Sequence, residues 1–480
     1  MDIVNTLILT ATVLGLLFIL FRRDSACRGK MPPGPIPLPL IGNLLQLNGS
    51  MYGPVMTVHL GGLRVVVLVG YETVQEALMQ HAGAFAGRPK LPLFNAVSNG
   101  LGKCFYSNVV QVEVRKFSLT TLRDFGMGKC SIEEYIKEEA QHLVENLRKT
   151  KGSPCDPTVF LTPAVSNVIC SIMFGKRFEY NDADFAHLLD IVNQFTYLFS
   201  RTFVQMYNIF PKLISFVPGP LKTILDLRAE FMQFLAKVVE EHRETLCADS
   251  PRDYIDMFLI KMKQVNDLKF DKSMPYASES LLDLFLAATE TTSTTLQFAL
   301  LILIKYPHIQ EKVQKEIDEV IGHQRSPTMV DRRKMPYTCA VMHEIQRLGD
   351  LVPMCVPHAT TEDTHFRGYV IPEGTMVMPL LHSVLHDKRH FKSPYSFDPG
   401  HFLDDNGCFK INPAFLPFST GKRVCLGEGL AQMEFFLFLS TLLQNLSVMA
   451  TVDPANLSLL PCASSFIKVP QHYKILVSPR

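Results

Sequence analysis

Residues 418–427 read F-S-T-G-K-R-V-C-L-G, and the side chain among them that can do chemistry is Cys425. It sits between Gly421 and Gly427, with Lys422 and Arg423 just before it. A thiolate forms near neutral pH where a helix N-terminus, nearby cations or a metal favours the charged sulfur. This stretch can offer all three, because the residues from Glu428 to about Gln444 are apolar and helix-forming, so the cysteine falls where a helix begins. Glycines let backbone approach closely, as a thiolate bound to a flat cofactor requires. Phe418 can cover the sulfur and keep water away.

A second group lies in residues 287–295, A-A-T-E-T-T-S-T-T. They fall inside the longest helix candidate, residues 278–305, about 28 residues or 42 Å long. Five threonines, a serine and an acid run against helix propensity in an otherwise apolar segment. Hydroxyls that bond back to carbonyls one turn earlier bend a helix and open room for water. Proton delivery to a buried oxygen ligand needs such room. A third pair, Glu344 and Arg347, stands three apart on one helical face. On a surface such a pair is worth only tenths of a kcal/mol.

The first pattern, F-x-x-G-x-R-x-C-x-G, is matched at every fixed position and resembles the haem-binding loop of the cytochrome P-450 superfamily, whose cysteine thiolate is the axial ligand of haem iron. The threonine-rich stretch resembles that family's oxygen-activation motif A-G-x-[DE]-T-[TS]. M-H-E-I-Q-R-L resembles its E-x-x-R helix, and P-Y-S-F-D-P-G-H-F at 394–402 resembles the segment that supplies a third partner, here His401. The resemblance implies haem b as cofactor, Cys425 as iron ligand, Thr291 and Glu290 in oxygen activation and proton relay, and structural roles for Glu344, Arg347, His401 and Phe418. Haem carries two propionates, which call for cations. The resemblance places Arg88 (in F-A-G-R-P), Arg115, His358 (in V-P-H-A-T-T-E-D) and Arg423 there. Three departures stand out. Ala288 replaces the usual glycine, Gln111 replaces a tryptophan four residues before Arg115, and the region at 47–51 is short.

Phrases such as F-S-L-T-T-L-R-D-F-G-M-G and P-F-S-T-G-K-R-V-C-L-G-E look like vertebrate microsomal family-two members. That likeness implies a monooxygenase acting on lipophilic foreign compounds, fatty acids or steroids. Substrate choice would lie in residues 91–106, 196–216, 287–291, 351–356 and 462–466, which are rich in Phe, Leu, Val and Met. No G-x-G-x-x-G fingerprint follows a strand, and no flavin module is visible, so electrons must come from a partner. The family uses NADPH–cytochrome P-450 reductase, and a microsomal b-type cytochrome is a further candidate donor. Lys116, Arg123, Lys129 and Lys422 are candidate docking contacts. Rival readings are a haem-thiolate peroxide isomerase, which tends to lack the acid–threonine pair, and a catalytically impaired haem- or lipid-binding protein marked by Ala288 and Gln111.

These residues need a large scaffold. The chain has 480 residues, 47 basic and 46 acidic side chains and 47% hydrophobic content, which permits a large core and gives no sign of nucleic-acid binding. Its 11 cysteines are scattered without a C-x-x-C pair, which argues against disulfides and zinc and suits a reducing compartment. Residues 3–21 carry no charge and are followed by Arg22, Arg23, Arg28 and Lys30. That pattern predicts an uncleaved anchor helix with the body on the cytosolic side. The expected plan is an anchor over 1–21, a basic and proline-rich hinge over 22–40, and a haem-thiolate catalytic domain over 41–480. The protein would be a single-pass component of the endoplasmic reticulum membrane. Two β-rich runs flank Gly61-Gly62 as a hairpin. Helical signals then dominate at 72–80, 131–150, 160–174, 184–199, 221–246, 278–305, 309–321 and 336–348, and strand signals return at 365–370, 467 and 473–477. The expected fold is mainly α with a minor β-sheet region: a P-450 fold with one N-terminal transmembrane helix.

Overall fold

The computed structural model describes residues 31–46, 52–98, 109–124, 130–217, 219–264, 274–462 and 466–480. Its α-helices of five or more residues are α1 (Tyr71–Gln75), α2 (Pro92–Ser98), α3 (Val109–Asp124), α4 (Cys130–Arg148), α5 (Thr158–Phe174), α6 (Ala183–Phe199), α7 (Pro220–Thr245), α8 (Tyr254–Gln264), α9 (Met274–Lys305), α10 (Pro307–Val320), α11 (Pro336–Gly349), α12 (Leu381–Leu385) and α13 (Glu428–Asn445). Pro220, Pro307 and Pro336 each open a helix, where a missing N–H costs nothing and the fixed φ is already helical. The strands are β1 (Val55–Leu60), β2 (Leu63–Val69), β3 (His358–Ala359), β4 (Thr364–Phe366), β5 (Tyr369–Ile371), β6 (Met376–Leu380), β7 (Leu446–Ala450) and β8 (Ile475–Pro479). Mainly helical content with small sheets matches the expected class.

α9 runs through the core and packs against α5, α7, α11 and α13. α13 is buried nearly all round, from Leu430 to Gln444, as an apolar helix at the centre of a large core should be. The larger sheet has the order β1-β2-β6-β3. β1 and β2 form the expected hairpin, with Leu60 opposite Leu63, and β2 then pairs in parallel with β6. Ordinary helix periodicity predicted most of these helices, but α2, α3, α8 and α12 were missed, and α9 starts four residues before the expected Ser278.

The strand expected over 365–370 is two strands, β4 and β5, split by left-handed Arg367 (φ 48°) and Gly368 (φ 79°). Ile467 is not in a strand. β8 pairs instead with β7, which follows α13 with no turn signal between them. The proline-rich stretch does not hang free: Thr57 N–H donates to Pro33 O at 2.8 Å. A Cβ on Gly34 would lie 1.8 Å from Thr57 O, so the glycine permits that close approach. Residues 1–21 and 47–51 lie outside the described residues, and among the described residues no helix is long and apolar enough to cross a membrane.

Candidate functional site

The loop before α13 is closed by its own backbone. Cys425 N–H donates to Phe418 O at 3.0 Å, and Val424 N–H to Gly421 O at 3.1 Å. Gly421 has φ 77°, and a Cβ there would fall 2.0 Å from Leu78 O, so only glycine fits. A Cβ on Gly427 would meet nothing within 4 Å, which leaves open space beside the cysteine. Cys425 is therefore presented at the start of α13, accessible yet surrounded by protein. Burial pushes its thiol above the ordinary value and is the largest influence. N–H groups of Gly427 and Glu428 and the Arg115 guanidinium pull the other way, while the Glu428 carboxylate adds to the rise.

The adjacent cations do not play the part their position suggests. Arg423 turns away and donates through Nε to Ala86 O at 2.8 Å, while Lys422 is exposed. The cation that acts on the sulfur is Arg115 of α3, which donates to Val424 O at 2.5 Å. With burial dominant, a metal on the sulfur would favour the thiolate.

Arg88, His358 and Arg423 converge from three segments. Arg88 donates to Val356 O and Pro357 O at 3.0 and 2.8 Å. His358, on β3, hydrogen-bonds through Nδ1 to Phe85 O at 2.7 Å, which makes Nδ1 the protonated nitrogen. Its Nε2 is buried with no partner among the described residues. Burial first, then Arg88 and Arg423, hold this imidazole down at about 3. Two guanidinium groups around a buried imidazole with an open nitrogen suit an anionic rim, so the residues present fit a haem with its propionates. Gln111 lies on α3, but its side chain is outside the described residues.

On α9, Thr291 Oγ1 donates to Ala287 O at 2.7 Å and Thr295 Oγ1 to Thr291 O at 2.8 Å. These are the expected back-bonds, and helical bonding continues through them. Ala287 is exposed, while Ala288, Glu290 and Thr291 are half-buried. Burial raises Glu290 to about 7. A residue the sequence did not single out lies next door. Glu434 of α13 is fully buried and raised to about 8 by desolvation, with Thr292 of α9 offsetting a little of this. Neither Glu434 oxygen has a partner at full hydrogen-bond distance among the described residues. Its sequence context, M-E-F-F, gave no signal of this.

Glu344 and Arg347 of α11 are both wholly buried and form a two-pronged pair, with Nε–Oε2 and Nη2–Oε1 at 2.7 Å. Arg347 also donates to the carbonyls of Leu385, Pro394 and Ser396 and lies 5.0 Å from the Phe391 ring centre. Ser393 N–H donates to His401 Nε2 at 3.3 Å, so His401 donates from Nδ1 to Glu344 at 3.2 Å. The expected third partner is in place.

Three of the five apolar segments meet at aromatic rings. Phe94 and Phe199 are 5.3 Å apart, Phe195 and Phe199 5.7 Å, and Phe199 and Phe466 6.3 Å. Two clusters with metal-ligand chemistry, Asp350–His382–His386 and His242–Asp253–Asp256, already hold cations: Lys468 pairs with Asp350 and Arg252 with Asp256.

The comparisons with known proteins bear on the same geometry. The family model described as Cytochrome P450 matches residues 32–477. Cytochrome P450 2C39 of Mus musculus and Cytochrome P450 2C5 of Oryctolagus cuniculus are each 48% identical to the chain over the full length of both. Cytochrome P450 2B4 of Oryctolagus cuniculus is also 48% identical, covering 98% of each chain. With a cysteine loop, a cationic rim and a buried Glu–Arg–His lock on a mainly helical frame, the chain belongs to the cytochrome P450 family of haem enzymes.

Proposed function

We propose that Cys425 Sγ is the axial ligand of haem iron, that Arg88, Arg115, His358 and Arg423 face the propionates, and that Glu290 and Thr291 carry protons on the opposite side. The protein is a haem-thiolate monooxygenase that places one oxygen atom of O2 in a lipophilic substrate and reduces the other to water. Haem held by a thiolate supplies the reductive activation of O2, since thiolate donation favours O–O cleavage. The chain's own residues do the rest. Gly421 and the Phe418 carbonyl fix the loop, Arg115 and two N–H groups steady the sulfur charge, and Glu344–Arg347–His401 locks the segment behind them. Glu290, raised to about 7, can accept and give up a proton near neutral pH, which suits a relay. The Phe94, Phe199 and Phe466 rings support an apolar substrate space.

One observation carries this reading. An accessible cysteine sits at a helix start, while a buried His358 nitrogen without a partner among the described residues sits on the cationic rim. Two electrons from NADPH must arrive through a redox partner, for which NADPH–cytochrome P-450 reductase is the candidate and exposed Lys116 and Lys422 are candidate contacts. The side chains of Arg123 and Lys129, proposed with them, are outside the described residues. An anchor over 1–21, a hinge over 22–40 and a catalytic body over 41–480 in the endoplasmic reticulum membrane complete the proposal. Ile36, Leu40, Leu213 and Phe216 are 64–85% exposed. The Ile209 and Phe210 side chains and the Leu40 backbone carbonyl lie together beside Gly61, so the two exposed groups are near one another and suit a lipid face. The deciding experiment is the carbon monoxide difference spectrum of the reduced protein. A band of thiolate-ligated haem is expected, and Cys425→Ser should abolish it. If Cys425→Ser keeps the band, the ligand assignment is wrong.

A further inference from the structure

We infer that Asp350 and Lys468 form a latch that positions the C-terminal hairpin over the substrate space, making Lys468 a positioning residue for substrate choice. The inference rests on the monooxygenase reading above. Asp350 is the left-handed residue (φ 43°) that ends α11, three positions beyond the buried Arg347. Its side chain is 1% exposed, and Oδ2 takes Lys468 Nζ at 2.5 Å and His382 Nδ1 at 2.6 Å. Oδ1 has no partner among the described residues. Lys468 is also tied by backbone, its N–H donating to Leu351 O at 2.9 Å.

In the hairpin carrying Lys468, the described residues on either side of the turn, 461–462 and 466–470, are tied to each other. Cys462 N–H donates to Val469 O at 2.8 Å, and Pro461 pairs with Pro470. Between these ties it presents Phe466 to Phe199 of α6. Leu351, which receives the Lys468 N–H, opens the 351–356 segment. Two apolar segments from distant parts of the chain are thus fastened to one buried carboxylate. Losing the Lys468 charge leaves Asp350 buried with only His382 as a partner, and a buried carboxylate in that position pulls in water or shifts. Either response frees the hairpin and moves Phe466.

The test uses the haem-loaded full chain with Lys468→Met, Lys468→Arg and Asp350→Asn. Asparagine tolerates the left-handed backbone at 350, so that variant removes the charge and keeps the turn. Hydrogen exchange of amides in 461–470 should quicken about tenfold or more in Lys468→Met and Asp350→Asn. Dissociation constants from spin-state titrations over small and bulky lipophilic compounds should shift unequally, by about twofold to thirtyfold. Lys468→Arg should restore both. The inference is overturned by unchanged exchange, by an equal loss of affinity for every compound, or by failure of Lys468→Arg to rescue. If the wild-type protein lacked a thiolate–haem band, the monooxygenase reading would fall, while the exchange result would still report on the latch.

Discussion

Glu434 offers a pH experiment with a defined sign. Its carboxyl is fully buried between α13 and α9 and is raised from 4.5 to about 8, mainly by desolvation. A raised acid stabilises the fold fully below its unfolded value, and that contribution is lost as pH climbs through the folded value. The window is therefore about pH 4.5 to 8. Each pH unit in it is worth about 1.4 kcal/mol, so the full loss is at most about 5 kcal/mol, and about 2 kcal/mol of it falls between pH 5.5 and 7. Glu434→Gln keeps shape and stays neutral, so it removes this slope alone. Urea unfolding of wild-type and variant full chains at both pH values isolates the term, since every other group cancels in the difference. The variant should gain about 2 kcal/mol on the wild type between the two pH values. A gap that does not change with pH would refute a neutral buried Glu434, and would mean that water or a cation already serves it.

Three further outcomes follow from the same packing. Arg347→Leu leaves Glu344 buried without its pair and should cost about 3–5 kcal/mol, read as a lower unfolding midpoint and a poor yield of folded protein. Gly421→Ala must move Leu78 O or leave φ 77°, so it should lower haem retention and cost about 1–3 kcal/mol. Glu290→Gln should reduce product formation about tenfold or more and erase the inflection near pH 7 in its rate profile, with Thr291→Ala diverting electrons to peroxide. Unchanged coupling in Thr291→Ala would remove that residue from the relay.

Why some of this was legible in the sequence and some was not is a matter of range. Proline at helix starts and the 3.6-residue period are local, so α7, α10 and α11 were readable. β7 follows α13 directly and is a strand only because β8, some thirty residues on, pairs with it. The buried Glu344–Arg347 pair was readable as a motif, yet its burial comes from carbonyls of Leu385, Pro394 and Ser396. The same limit governs the cysteine loop. Lys422 and Arg423 adjoin Cys425 in the chain, but Lys422 is exposed and Arg423 bonds Ala86 O on the His358 side, while Arg115 reaches Val424 O from α3. Asp350 and Lys468, like Glu434 and Thr292, meet only in three dimensions.

Protonation is where range matters most. Motifs locate Cys425, His358 and Glu290, but burial sets their charge, and it pushes all three toward the neutral form. For Glu290 this is useful, because an acid poised near 7 exchanges protons at working pH. Cys425 and His358 would instead acquire charge from what binds them: a metal would favour the thiolate, and a carboxylate at Nε2 the imidazolium. Haem would bring both, releasing a proton at one rim of the site and taking one up at the other. The protein therefore need not pay to bury those charges before its cofactor arrives, which accounts for a thiol above its ordinary value at the very position the loop presents for ligation.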